Sequence, residues 1–131
     1  MLKIVFIFVV AAYVFSGIQN AYSQEPIRIQ FAKGKSSATV KGATGTNGVY
    51  YVIGAKSGQK LVLTLTPKTK IGIKVETDGA EGHSVLLREE KGGTYEIGLD
   101  VKGDYTIFVG STNHKSLPFT LTVKITKLTD I

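Results

Sequence analysis

The feature that most constrains the fold is an alternation of apolar and polar residues with a period of two. Successive side chains of a β-strand point to opposite faces, so each such segment would bury one face of a strand. No segment after residue 23 has a sustained helical spacing of apolar residues. Five segments carry the alternation: Ile27, Ile29 and Phe31; Leu61, Leu63 and Leu65; Ile71, Ile73 and Val75; Tyr95, Ile97 and Leu99; and Phe119, Leu121, Val123 and Ile125.

Turn signals rich in glycine separate these segments about every ten residues, which is typical of sandwiches and barrels. Among them, Asn47-Gly48 predicts a type I′ hairpin turn, in which both central residues need a positive φ. The sequence therefore predicts an all-β, two-sheet antiparallel β-sandwich, jelly-roll-like, with seven to nine strands. Further strands are predicted at Ala38–Lys41, Val49–Ala55, Val85–Arg88 and Tyr105–Val109.

The first 23 residues have the pattern of a secretion signal. Lys3 precedes an apolar run from Ile4 to Phe15, and the small residues Ala21 and Ser23 occupy positions −3 and −1 of a cleavage site. The run is shorter than the ~20 residues of a membrane span. We expect a signal peptide at 1–23 and a single domain at 24–131, with no integral membrane span after cleavage.

The chain contains no cysteine. An exported domain without disulfides must be stabilised by its apolar core alone, which is more typical of bacterial proteins than of small eukaryotic extracellular domains. The predicted location is therefore the periplasm of a bacterium or the medium outside it.

Catalytic chemistry finds little support in the sequence. His83 and His114 are the two histidines, both in polar, loop-like surroundings, and no serine lies in a Gly-x-Ser-x-Gly elbow. The predictions are no enzyme, no catalytic residues and no cofactor. The net charge of +6 is spread over single lysines without interleaved aromatic residues, which argues against nucleic acid as a partner.

One acidic segment, Glu76 to Gly82, keeps a calcium site open, because oxygen ligands on a glycine-rich loop can hold that ion. Its spacing does not match the twelve-residue EF-hand loop, and acidic turns are common. The prediction is no metal site, with calcium at Glu76–Glu81 left as the alternative.

The stretch Lys102-Gly103-Asp104-Tyr105 allows two interpretations. In the first, Gly103 supplies a positive φ and Tyr105 points inward with its hydroxyl bonded to nearby backbone, as in a tyrosine corner. In the second, the same corner contacts a partner. The residues alone leave both open.

Four stretches of the chain resemble the bacterial periplasmic inhibitors of g-type lysozyme, which are related to pre-peptidase C-terminal β-sandwich domains. They are FAKGKSSATVKG (residues 31–42), YYVIGAKSGQKLVLTLT (50–66), GDYTIFVG (103–110) and PFTLTVKI (118–125). The resemblance implies a host-defence role, in which the protein binds an animal lysozyme, g-type before other classes, and blocks its active-site cleft.

Other periplasmic lysozyme inhibitors carry a Ser-Gly-x-Tyr corner that enters the cleft. The resemblance therefore implies that Lys102, Gly103, Asp104 and Tyr105 form the partner-binding site, with lysine in place of serine. It implies lysozyme as a protein partner, and the domain is expected to be a monomer or weak homodimer.

The alternative function is a non-catalytic module that binds glycans or the cell envelope. The chain has no tryptophan to stack on a sugar. Tyr50 and Tyr51 are adjacent in a predicted strand, so they must face opposite ways and one of them should be exposed.

Overall fold

The computed structural model describes residues 25–79 and 82–127, and the predicted signal peptide lies outside these ranges. Within them, no helix is long and apolar enough to cross a bilayer. The described residues form nine strands: β1 Ile27–Arg28, β2 Ser37–Ala43, β3 Val49–Ala55, β4 Gln59–Thr66, β5 Ile71–Gly79, β6 Gly82–Glu89, β7 Gly93–Leu99, β8 Gly103–Ser111 and β9 Pro118–Lys127.

The strands form a five-stranded sheet in the order β1-β3-β8-β5-β6 and a four-stranded sheet in the order β2-β9-β4-β7. From each strand to the next the chain changes sheet, except between β5 and β6. This winding is that of a jelly roll. The structure confirms the predicted all-β sandwich with one departure: β1 pairs with β3 in parallel.

The core lies between the two sheets and is built from the predicted alternating residues. Leu61, Leu63 and Leu65 of β4 are 0% exposed. The predicted face of β9 lines the same core, because β4 and β9 are neighbours and Leu63 lies opposite Val123. Burial of these faces removes apolar surface from water, the main stabilising contribution to a domain without disulfides.

The first alternating segment departs from the prediction. Only Ile27 and Arg28 form a strand, and Ile27 is 54% exposed, whereas Ile29 is buried. The reason is position: β1 is the edge strand of the wider sheet, so the four-stranded sheet does not cover it.

The predicted hairpin at Asn47-Gly48 is wrong. The strands before and after it, β2 and β3, lie in different sheets, so this segment crosses the sandwich instead of closing a hairpin. The backbone of Thr44 donates to the carbonyl of Leu117 at 2.9 Å, and the Leu117 N–H donates to the Thr44 hydroxyl at 3.1 Å. These two hydrogen bonds fix the chain directly after β2, where it begins to pass from one sheet to the other. Gly48 does have a positive φ of 89°, but Asn47 does not.

Candidate functional site

The Lys102–Tyr105 corner lies at one end of the sandwich, where the chain passes from β7 into β8. Gly103 has a φ of 150°, in the region that favours glycine. The Tyr105 side chain is 1% exposed, and its hydroxyl donates to the Val101 carbonyl at 2.5 Å and accepts from the Val101 N–H at 3.3 Å. This geometry is a tyrosine corner.

The corner therefore divides its residues between two roles. Tyr105 holds the turn from inside the core, so its side chain offers no surface to a partner. Lys102 and Asp104 are exposed at the outer side of the turn. Lys102 forms no ion pair with the residues that the structure describes. Contact between this corner and a partner stays a prediction, with Lys102 as the side chain placed to make it.

Asp104 has a partner that the sequence did not indicate. Both of its carboxylate oxygens accept from the guanidinium of Arg28, at 2.8 and 3.2 Å, and this pairing raises the pKa of Arg28. The Asp104 carbonyl also accepts from the Thr77 hydroxyl at 2.9 Å. The negative charge of the corner is thus neutralised, and the corner is tied to β1 and β5 on either side.

A groove of about 520 Å³ adjoins the corner and is lined at its rim by three lysines, Lys35, Lys56 and Lys102. Phe31 and Ile125 lie in its wall and are half-buried and buried, respectively. None of the three lysines pairs with a carboxylate among the described residues. We call this feature the cationic groove. Sequence reasoning missed it, because Lys35 and Lys56 belong to separate turns and only the sandwich brings them beside Lys102.

The Ser111–Ser116 loop leaves the far end of β8. The strand has nine residues and so spans about 27 Å. The backbone of Thr112 donates to the Lys70 carbonyl at 2.9 Å, which places this loop beside the β4–β5 connection. It is remote from the Lys102–Tyr105 corner, so the two cannot enter one cleft together.

The acidic segment considered for calcium is largely strand. Glu76 and Asp78 lie in β5, which pairs with β6 as far as Gly79 and Gly82, while residues 80–81, including Glu81 of the calcium alternative, lie outside the described ranges. His83 sits between the two carboxylates, with Nε2 2.5 Å from Glu76 and Nδ1 2.8 Å from Asp78. The hydrogen bond to Asp78, followed by Glu76, raises the pKa of His83. The described residues contain no group of three side chains suited to a metal ion.

Of the two adjacent tyrosines, Tyr51 faces the core and Tyr50 faces outward. Tyr51 is 3% exposed, and burial raises its pKa to about 12. Tyr50 is half-buried and packs against Phe108 with ring centroids 4.8 Å apart. The outward tyrosine that was expected is therefore Tyr50. Its ring contacts Phe108, a neighbour that could not be identified from the sequence.

No family profile and no curated protein sequence matches the chain. Among solved structures, it is similar to PliG of Aeromonas hydrophila, a periplasmic inhibitor of g-type lysozyme, with 28% identity and a TM-score of 0.66 over 76% of this chain and 95% of that one. It is also similar to PliG of Salmonella Typhimurium (21% identity, TM-score 0.60, 79% and 99% covered). A mutant of PliG from Escherichia coli matches with 23% identity and a TM-score of 0.60, again over 79% and 99%. The resemblance found in the sequence is thus confirmed by the structure.

Proposed function

We propose that this protein is a bacterial inhibitor of animal lysozyme, g-type before other classes, that binds the enzyme and blocks its active-site cleft. It acts in the periplasm or outside the cell after removal of residues 1–23, and it has no catalytic activity of its own. The observation that carries the proposal is the similarity over nearly the whole length of a g-type lysozyme inhibitor. The Lys102–Tyr105 corner matches the Ser-Gly-x-Tyr corner of other periplasmic lysozyme inhibitors at its glycine and tyrosine, and this match and the lysines around it support the corner as the binding site.

The Lys102–Tyr105 corner suits insertion into a cleft. Gly103 has no side chain, so the turn is narrow at its tip. Tyr105 holds the turn from inside, so little conformational freedom is lost when a partner binds. Lys102 points from a fixed backbone, and Asp104, whose charge Arg28 neutralises, does not oppose an acidic partner.

The cationic groove suits the chemistry of the partner. Glycoside hydrolases place Asp or Glu carboxylates at the centre of their cleft. Three unpaired ammonium groups beside the corner would face these carboxylates, and opposite charges in a desolvated contact favour binding. The chain is basic as a whole, but the stability of the complex depends on the charges at the contact, where these lysines would face the carboxylates of the enzyme.

The proposal is tested by measuring inhibition of g-, c- and i-type lysozymes by the purified protein and by Lys102→Ala. Interface anchors often cost about 2 kcal/mol on truncation, so Lys102→Ala should raise the inhibition constant roughly thirtyfold. Lys68→Ala is the matched control. It removes the same charge from an exposed turn at the opposite end of the sandwich and should change nothing.

Two outcomes contradict the proposal at different levels. If Lys102→Ala inhibits as strongly as the wild-type protein and Lys68→Ala, the corner is only a turn and another surface binds. Failure of the wild-type protein to inhibit any of the three lysozyme classes would remove the inhibitor function itself and leave the envelope-binding alternative.

A further inference from the structure

The outer face of the five-stranded sheet carries a row of four side chains that the proposed function does not use. Tyr50 lies opposite Phe108, Phe108 opposite Lys74, and Lys74 opposite Arg88, on four adjacent strands. Residues directly opposite each other in a sheet share a face. At a strand spacing of about 4.8 Å, the row extends about 14 Å across the sheet. We call it the aromatic row.

The Phe108 ring lies close against the sheet because two neighbouring positions, Gly48 and Gly110, carry no side chain. A Cβ on Gly48 would lie 2.3 Å from the ring, and a Cβ on Gly110 would lie 2.7 Å from it. The ring thus occupies the space that two side chains would fill, and lies over the backbone instead of standing up from it. Tyr50 flanks it on one side at 4.8 Å, with the ring planes 54° apart. The result is an aromatic surface of two mutually tilted rings whose conformation is set before any ligand arrives.

The charges around this surface favour an anionic ligand over a cationic one. The Lys74 ammonium lies 5.7 Å from the centre of the Phe108 ring and 3.3 Å from Glu76. Glu76 is also held by His83, so this carboxylate is already neutralised. Arg88, at the end of the row, is exposed and forms no ion pair with the described residues. A cationic ligand would meet Lys74 over the ring, whereas an anionic group would find Arg88 free.

We infer that the aromatic row is a binding site for an acidic saccharide, distinct from the Lys102–Tyr105 corner. One sugar ring lies on Phe108 beside Tyr50, because the C–H groups of a pyranose carry slight positive charge and are attracted to the negative face of an aromatic ring. A carboxylate of the same chain reaches Arg88, which can bind it through two parallel hydrogen bonds.

An apolar protein segment fits this surface less well. The two rings are bounded by Lys74 and Arg88 along the row. The next row of the same face contains Val85, Glu76, Thr106, Val52 and Arg28. A peptide that covered the rings would also cover Arg88, which has no carboxylate partner among the described residues, so an apolar segment would have to desolvate that charge without compensation. A saccharide carries hydroxyl groups that both donate and accept, so it can satisfy such a surround while stacking on the rings.

The test is a titration of the purified protein, followed by amide chemical shifts, with a hyaluronan hexasaccharide as the acidic probe. The hexamer of N-acetylglucosamine is the neutral comparison. The acidic probe should shift amides of β3, β5 and β8 around Tyr50, Lys74 and Phe108, and should bind at least tenfold more tightly than the neutral one. The amides at Lys102 and Gly103 should not move.

Variants separate a binding role from a structural one. Phe108→Tyr keeps the ring face and should keep the affinity, whereas Phe108→Leu still covers Gly48 and Gly110 but removes the ring and should lose at least tenfold. Arg88→Gln should lower the affinity for the acidic probe and leave the neutral one unchanged. Melting curves establish that each variant is folded.

The inference is overturned if neither probe binds, if the shifts map to the cationic groove, or if Phe108→Leu binds as well as Phe108→Tyr. Equal affinity for the two probes would overturn the assignment of an acidic ligand. Lysozyme inhibition is measured on the same variants and should be unaffected, so the result is independent of the proposed function.

Discussion

The tyrosine corner gives the sharpest quantitative prediction. Tyr105→Phe removes the hydroxyl and leaves the ring in the core, so no cavity forms. The lost hydroxyl makes two hydrogen bonds to Val101, at 2.5 and 3.3 Å. A protein hydrogen bond contributes about 0.5–1.5 kcal/mol net. Val101 is 42% exposed, so water can replace part of the loss.

We therefore expect Tyr105→Phe to lower the free energy of unfolding by about 1–2 kcal/mol. For a domain of this size, 1 kcal/mol corresponds to about 4–8 °C in Tm. Thermal and urea denaturation followed by circular dichroism measure both quantities. Amide hydrogen exchange at Val101 should accelerate, because its N–H loses its acceptor.

Tyr51→Phe is the matched control. Tyr51 is also buried, but its hydroxyl makes no hydrogen bond with the residues that the structure describes, so its removal should change Tm little. Equal losses from the two variants would refute the reasoning, because Tyr51 has no such hydrogen bonds to lose and the bonds to Val101 could then not be the cause of the effect. An unchanged Tm in Tyr105→Phe would show that the hydroxyl does not hold the corner.

Other substitutions test the core, the turn and the acidic pair. Leu63→Ala should cost about 2–5 kcal/mol in urea denaturation, as truncation of a fully buried leucine does, and the half-buried, outward Val62→Ala should cost clearly less; equal losses would mean that the register is wrong. Gly48→Ala should destabilise by at least about 1–2 kcal/mol, because its φ of 89° disfavours a side chain and the new Cβ meets Phe108; an unchanged midpoint would contradict both the conformation and the contact. The pKa of His83 is raised in the folded protein, so its contribution to stability is fully present below the unfolded value of about 6.5 and is lost as the pH rises through the raised pKa. His83→Gln should accordingly lower Tm at pH 5 and have little effect at pH 9, and a difference in Tm that grew with pH would have the wrong sign.

Much of the fold was predictable because it depends on local alternation. A strand that covers a core must place apolar side chains at every second position, so Leu61, Leu63 and Leu65 identify β4 and its buried face without any tertiary information. The same parity separates Tyr50 from Tyr51. Pairing partners follow no such local rule. Asn47-Gly48 has the composition of a hairpin turn, yet the chain there crosses between sheets, because β2 finds β9 and β3 finds β8.

The candidate site was only half predictable for the same reason. The Lys102–Tyr105 corner is contiguous, so its glycine, its tyrosine and its exposed lysine could be recognised together. The groove beside it, the ion pair from Arg28 to Asp104 and the ring of Phe108 over Gly48 join residues far apart in the chain. Alternation and turn composition act over a few residues and were read from the sequence alone. Charges and rings from distant segments become neighbours only when the strands pair into sheets and the two sheets pack, so the tertiary structure alone decided what surrounds the corner.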